Sequence, residues 1–383
     1  MTLARFTKAA VLSALTLACS MAAVSATFVY VSNAEDGDIG MYRMNAATGE
    51  LQAGARAPAG KLVMPMAVSP DRRFLYAAVR TKPYTVLAYA IDPATGALRQ
   101  ASSAPLAESF PFISFDKTGR YLFGASYGAH LVSVNSVGAD GRVAPEPLQV
   151  IPIGRNAHSI RIDDTNRYVY VPSLGSDQIF QFTFDEKSGR LASNTPAVVL
   201  QKSLTGPRHF VISRDNRHLY ALSELLGTVT TYKLDGRTGL LTEASSASGV
   251  PPEAKLLPGA PRLPIGGPDA PPPRNVDKDI WAADVHLTPD GKFLYMSERT
   301  SATLGAFAVD EQSGKLTYLG STPTEKQPRG FAIDPSGKYL VASGEKSETI
   351  SAYAIDQASG ALRLVGKYPA GKGANWVEIV SFD

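Results

Sequence analysis

Two patterns alternate along the chain and repeat in step with each other. In the first, a polar turn leads into an aromatic-rich apolar run: SPDRRFLYAAV, DKTGRYLFGAS, DDTNRYVYVPS, SRDNRHLYALS, TPDGKFLYMSE and DPSGKYLVASG. In the second, a strand-like run enters a tight turn that closes on Gly and a short apolar residue: MYRMNAATGEL, LAYAIDPATGAL, VSVNSVGADGRV, FQFTFDEKSGRL, TTYKLDGRTGLL, GAFAVDEQSGKL and SAYAIDQASGAL. The closing residues Leu51, Leu98, Val143, Leu191, Leu241, Leu316 and Leu362 lie about 45–50 residues apart, with one gap of about 75. A unit of that length, repeated seven times, is the size of a propeller blade.

Within each unit, short runs rich in Val, Ile, Tyr and Phe are separated by Asp-Gly, Ser-Gly or Thr-Gly turns, as antiparallel hairpins require. No comparable stretch carries a helical period. The expected fold is therefore all-β: a seven-bladed β-propeller of four-stranded antiparallel blades. Only six copies of the first pattern are complete. TFVYVSN near the N-terminus matches its strand but has no strand before it, and ANWVEIVSFD at the C-terminus matches an innermost strand with nothing after it. Pairing the two completes a seventh blade from both ends of the chain and removes exposed sheet edges. The long gap holds VPPEAKLLPGAPRLPIGGPDAPPPRNV, residues 250–276, whose Pro and Gly content marks a surface excursion. It is expected to interrupt the sixth blade and to border the mouth of the channel.

Residues 1–26 have the form of a secretory signal peptide, with Arg5 and Lys8 before the apolar run Ala9–Leu17 and Val24-Ser25-Ala26 at the cleavage position. This leaves residues 27–383 as one propeller domain, expected in the periplasm or secreted, with no membrane attachment after cleavage. Cys19 is the only cysteine and lies in the leader; Thr16-Leu17-Ala18 is a poor lipoprotein signal. A mature chain without cysteine has no disulfide or thiolate chemistry. The net charge of +3 offers no electrostatic basis for nucleic-acid binding. A monomer is expected.

The repeat also places side chains. Taking Leu75, Leu122, Val169, Leu219, Leu294 and Leu340 as reference, the position eleven residues earlier enters the innermost strand at the channel rim. That column reads Met64, Pro111, His158, Arg208, Ala283 and Arg329. The next reads Pro65, Phe112, Ser159, His209, Asp284 and Gly330. Five residues after the reference, on the adjacent strand, come Arg80, Tyr127, Leu174, Glu224, Arg299 and Glu345. Arginines with a histidine at one mouth suit an anionic ligand, because guanidinium groups grip carboxylate or phosphate in a bidentate fashion. The competing interpretation is an ion-pair network that ties the blades together. Strict strand alternation would turn His209 to the opposite side of the sheet from Arg208.

Other motifs carry less. Gly124-Ala125-Ser126-Tyr127-Gly128 fits GxSxG but falls at a strand end, and serine recurs at the equivalent positions Ser173 and Ser223. HExxH, CxxC and Gly-rich phosphate loops are absent from the sequence. Asp284, His286 and Glu224 form only a weak candidate for a divalent cation, so no metal and no cofactor is expected. His130 and His218 fall outside the rim columns.

The segments NAHSIRI, TGPRHFVIS with SEL, DIWAADVHLTPDGKFLYMSERT, TEKQPRGFAIDPSGKYLVASGEKS and GKGANWV resemble the seven-bladed propeller 6-phosphogluconolactonase family, which includes the carboxy-muconate cyclases. The resemblance covers essentially the whole chain after the leader. It implies a catalytic set of a His, two Arg and a Glu, matching His158, Arg208, Arg299 and Glu224; the rim columns add Arg329, Asp284 and His209 as further substrate-binding candidates. The implied activity is that of a carboxylic-ester hydrolase opening a small anionic sugar-acid lactone, with either His158 or Glu224 as general base. The family's lactonases act in the cytoplasm on a phosphorylated lactone. An exported chain points instead to an unphosphorylated aldonolactone or another acidic lactone. Two alternatives stand beside it: a non-catalytic exported propeller that binds partners through its outer loops, and a cyclase acting on an unsaturated dicarboxylate.

Overall fold

In the computed structural model, which describes residues 26–262 and 275–382, each aromatic-rich run is the second strand of a four-stranded antiparallel sheet. The leader, apart from Ala26, lies outside the described residues. The second blade is typical, with strands Val63–Val68, Phe74–Val79, Thr85–Ile91 and Leu98–Pro105 in spatial order. There are seven such sheets. We count blades from the N-terminus.

The first blade is the one both ends of the chain build. Ala374–Phe382 pairs antiparallel with Ala26–Asn33, and Asp38–Met44 and Leu51–Pro58 complete the sheet. The seam runs in one register from Ala26 opposite Phe382 to Ser32 opposite Trp376, then slips past Asn375 so that Asn33 faces Ala374.

Both sequence patterns have one structural purpose, the joint between neighbouring blades. The second strands, such as Phe74–Val79 and Tyr339–Gly344, are buried along their whole length because a blade packs on each face. The tight turn of one blade docks on the first aromatic of the blade before it. Gly96 has φ +72, and a Cβ there would sit 2.3 Å from the Phe28 ring. Only glycine meets both demands at low cost. Two residues beyond Phe28, the Tyr30 hydroxyl donates to the Gly96 carbonyl at 2.8 Å. Tyr76 to Gly141 and Tyr295 to Gly360 repeat the bond at 2.8 Å. At the seam Gly49 meets Tyr339, so the first blade docks on the seventh by the same device.

The innermost strands carry a second shared feature. In the second, fifth, sixth and seventh blades the pairing register slips over two residues, at Met64-Pro65, Arg208-His209, Ala283-Asp284 and Arg329-Gly330. Such a bulge breaks alternation and re-aims side chains. It lies at the rim positions, so it governs what faces the channel.

The Pro-rich excursion enters between Leu241–Ser248 and Ala282–Leu287. It thus precedes the sixth blade and leaves its four strands intact, instead of interrupting it. The repeat spacing measured only a long interval, which either position satisfies. Residues 263–274 of this segment lie outside the described residues.

Candidate active site

One end of the channel opens into a cavity of about 480 Å³, within the range that holds a small ligand. Its wall includes Met64, Pro111, His158, Arg208 and Arg329 from the first rim column, and Arg80, Tyr127, Glu224, Arg299 and Glu345 from the adjacent strands. Trp281, Gln327 and Leu62 also line it. The excursion reaches the mouth through Arg262 and Val276, and Tyr127 donates to the Arg262 carbonyl at 2.6 Å.

Glu224 organises one side. Its Oε2 accepts from Arg208 Nε at 2.7 Å and from Arg299 Nη2 at 2.9 Å. All three side chains are nearly inaccessible. Arg299 also donates through Nε to the Trp281 carbonyl at 2.9 Å and stacks 3.8 Å above the Trp281 ring. Arg208 Nη1 donates to the Ala283 carbonyl and to His209 Nε2, the latter at 3.2 Å. Burial, then the nearby charges of Arg299 and Arg329, lower the Arg208 pKa to about 9, so it stays cationic at neutral pH. The two guanidinium groups are thus held in place before any ligand arrives.

His158 stands beside them as a neutral base. Burial first, and the Arg208 charge second, hold its pKa well below 6.5. Its ring meets Tyr127 and His209 edge-on at 5.7 and 5.1 Å. Its Nδ1 is buried with no hydrogen-bond partner among the described residues.

His209 and Asp284, expected to touch substrate, do not line the cavity. They lie one layer deeper, where His209 Nδ1 donates to Asp284 Oδ1 at 2.8 Å and Asp284 Oδ2 meets His286 Nε2 at 3.1 Å. Since Nε2 accepts from Arg208, His209 is a neutral imidazole with its proton on Nδ1. The sequence expectation that His209 faces away from Arg208 fails because the bulge suspends alternation. The two side chains meet, and His209 packs against Phe112, His158 and Trp376. The Asp284-His286 contact exists, but Glu224 belongs to the arginines, and no group of three metal-ligating residues occurs among the described residues.

Ser126 is buried at the end of its strand and donates to the Ser109 carbonyl at 3.0 Å. Ser173 does the same to the Arg155 carbonyl at 2.7 Å. The GxSxG match is therefore a repeat position that ties a strand to its preceding loop.

The family profile for "Lactonase, 7-bladed beta-propeller" matches residues 26–379. The chain belongs to this lactonase family. It is a carboxylic-ester hydrolase of the 6-phosphogluconolactonase-like type. Similar proteins include the 6-phosphogluconolactonases of Serratia proteamaculans, 38% identical over 80% of this chain and 84% of that one, and of Erwinia tasmaniensis, 37% identical with the same coverage. Among solved structures, the periplasmic gluconolactonase PpgL of Pseudomonas aeruginosa is 26% identical, with TM-score 0.79, over 93% of this chain and 99% of that one.

Sequence reasoning missed one lining column of this lactonase. Thirteen residues before the reference positions lie Leu62, Ser109, Asn156, Gly206, Trp281 and Gln327, and three of these line the cavity. The same column method, moved two residues upstream, would have found them.

Proposed function

We propose that this lactonase hydrolyses a sugar-acid lactone in the periplasm, with His158 as the general base. The carrying observation is a buried, neutral imidazole beside two guanidinium groups that a single carboxylate holds in position. Glu224 is the poorer base, because its Oε2 already accepts two guanidinium donors. Its role is to anchor Arg208 and Arg299.

His158 takes a proton from water as the water oxygen bonds to the lactone carbonyl carbon. The carbonyl oxygen gathers negative charge, which Arg208 and Arg299 stabilise. The tetrahedral centre then expels the ring oxygen, and the imidazolium returns its proton to it. The products are a hydroxyl and a carboxylic acid, which ionises. No covalent intermediate is needed, since a lactone is already prone to ring opening. The periplasmic placement is supported by the leader-like residues 1–26 and by the likeness to PpgL.

The test is pH-stat hydrolysis of gluconolactone by the chain freed of residues 1–26. His158→Gln should lower kcat by roughly 10²–10⁴ while circular dichroism is unchanged. Because the neutral form is the active one, the acid limb of kcat/KM should fall below the ordinary histidine value of 6.5. Full turnover in His158→Gln would remove this residue from the chemistry.

A further inference from the structure

The two guanidinium groups beside His158 have few donors left for a ligand. An arginine carries five N–H bonds. In Arg208, Nε gives its one to Glu224 Oε2, and Nη1 gives its two to the Ala283 carbonyl and to His209 Nε2. Its Nη2 has no hydrogen-bond partner among the described residues. Arg299 directs Nε to the Trp281 carbonyl and Nη2 to Glu224 and the Ala282 carbonyl, which likewise leaves only Nη1. Each arginine is thus held on two sides and keeps one NH₂ group for whatever enters the cavity.

One of the bonds that hold Arg208 comes from its neighbour in sequence. Adjacent residues of a regular strand face opposite ways and cannot meet. The slip in register at Arg208-His209 suspends that rule, and Nη1 reaches Nε2 at 3.2 Å. The same slip in the seventh blade places Gly330 after Arg329, so no side chain supports that arginine from behind. Arginine only donates, and an ionised carboxylate only accepts. The imidazole between Arg208 and Asp284 therefore satisfies both only with its proton on Nδ1. Asp284 is surrounded by donors. Its Oδ1 accepts from His209 Nδ1 at 2.8 Å and from the Val285 amide at 3.0 Å. Its Oδ2 meets His286 Nε2 at 3.1 Å and accepts from the Phe331 amide at 3.4 Å. In the other tautomer, an Nε2–H would oppose the Arg208 donor and turn the guanidinium aside.

We propose that His209 and Asp284 are positioning residues for the hydrolysis, although neither touches substrate. Asp284 fixes the tautomer of His209, His209 holds the guanidinium plane of Arg208, and Nη2 is thereby kept as the donor to the developing oxyanion. This rests on the lactone-hydrolysis reading and deepens it. A donor fixed before the reaction needs no reorganisation as charge develops. Its alignment matters most in the transition state, so losing it should lower kcat and leave KM nearly unchanged.

The kinetics of His209→Phe and His209→Gln test this, well below the Tm of each variant and with spontaneous ring opening subtracted. Phenylalanine keeps a ring but offers Arg208 no acceptor, whereas the glutamine amide oxygen can replace Nε2. His209→Phe should lower kcat roughly 10- to 100-fold, the range of a charge-assisted hydrogen bond, with KM within about twofold. His209→Gln should recover part of the loss. The tautomer is read separately, from long-range ¹H–¹⁵N spectra of the imidazoles. His209 should carry its proton on Nδ1 in the unmodified protein, and Asp284→Ala should shift it toward Nε2 with a parallel fall in kcat. Unchanged kcat in His209→Phe, a loss expressed in KM alone, or an Nδ1 proton retained in Asp284→Ala would overturn the assignment. Should Asp284→Ala not fold, the two His209 variants decide. If the tautomers behave as stated but the unmodified protein opens no lactone, the hydrolysis reading fails and the hold of Asp284 and His209 on Arg208 stands.

Discussion

Acid should weaken this propeller through His209. The ring is only 3% exposed, gives its Nδ1 proton to Asp284 and receives Arg208 on Nε2. Burial, and then the Arg208 charge, push its pKa from 6.5 to about 3. Between those values the unfolded chain binds a proton that the native state refuses. The stability this histidine contributes is therefore complete above 6.5 and is lost progressively as pH falls toward 3. At pH 5 the distance below the unfolded value is about 1.5 units, each worth about 1.4 kcal/mol, so His209 alone removes roughly 2 kcal/mol. His209→Phe keeps an aromatic ring against Phe112 and Trp376 and cannot take up the proton. The variant should be less stable at pH 7 by about 1–3 kcal/mol, because Asp284 and Arg208 each lose a partner. Its further loss between pH 7 and pH 5 should be about 2 kcal/mol smaller than that of the unmodified protein. Urea unfolding of both proteins at the two pH values measures the difference, and the contribution of His158 cancels because both retain it. Equal losses in the two proteins would refute the reasoning.

Glu224→Gln leaves two buried guanidinium groups without their shared anion. It should cost about 3–5 kcal/mol in urea unfolding and suppress lactone hydrolysis in the same preparation. Removing Ala374–Phe382 strips the first blade of its innermost strand, so the shortened chain should show no cooperative thermal transition by circular dichroism. Ser126→Ala should keep hydrolysis within about twofold, since removing one structural hydrogen bond changes stability by only about 1 kcal/mol. A collapse of kcat with the fold intact would restore Ser126 as a nucleophile.

Much of the site was legible because the ring multiplies one local geometry. Once a blade's register is known, residues more than a hundred positions apart, such as His158 and Arg299 two blades away, fall at the same height around the channel. Both lie in the cavity wall, as do Arg208, Glu224 and Arg329. The orientation of His209 was not legible, because a bulge at Arg208-His209 breaks the two-residue period on which facing was judged. Nor was the pairing of charges. That Glu224 serves both Arg208 and Arg299 depends on side-chain reach across blades, which no column records. The excursion was placed correctly on the mouth side but within the wrong unit, since spacing counts residues and not strands.

The seam has a consequence in time. The Thr27 and Ser381 hydroxyls bond at 2.8 Å across 354 residues of chain, so the first strand waits for its partner until the six other blades have been made. Closing so long a loop adds little to the entropy cost, which grows only with the logarithm of length, but it places the step late in folding. Until then an arc of blades presents an unpaired edge along Ala26–Asn33, a surface prone to association. The cavity wall includes Ala34 and Gly373, which flank the seam on either side. Turnover in a refolding experiment would therefore emerge with the final closure of the ring, and not in proportion to the blades already formed.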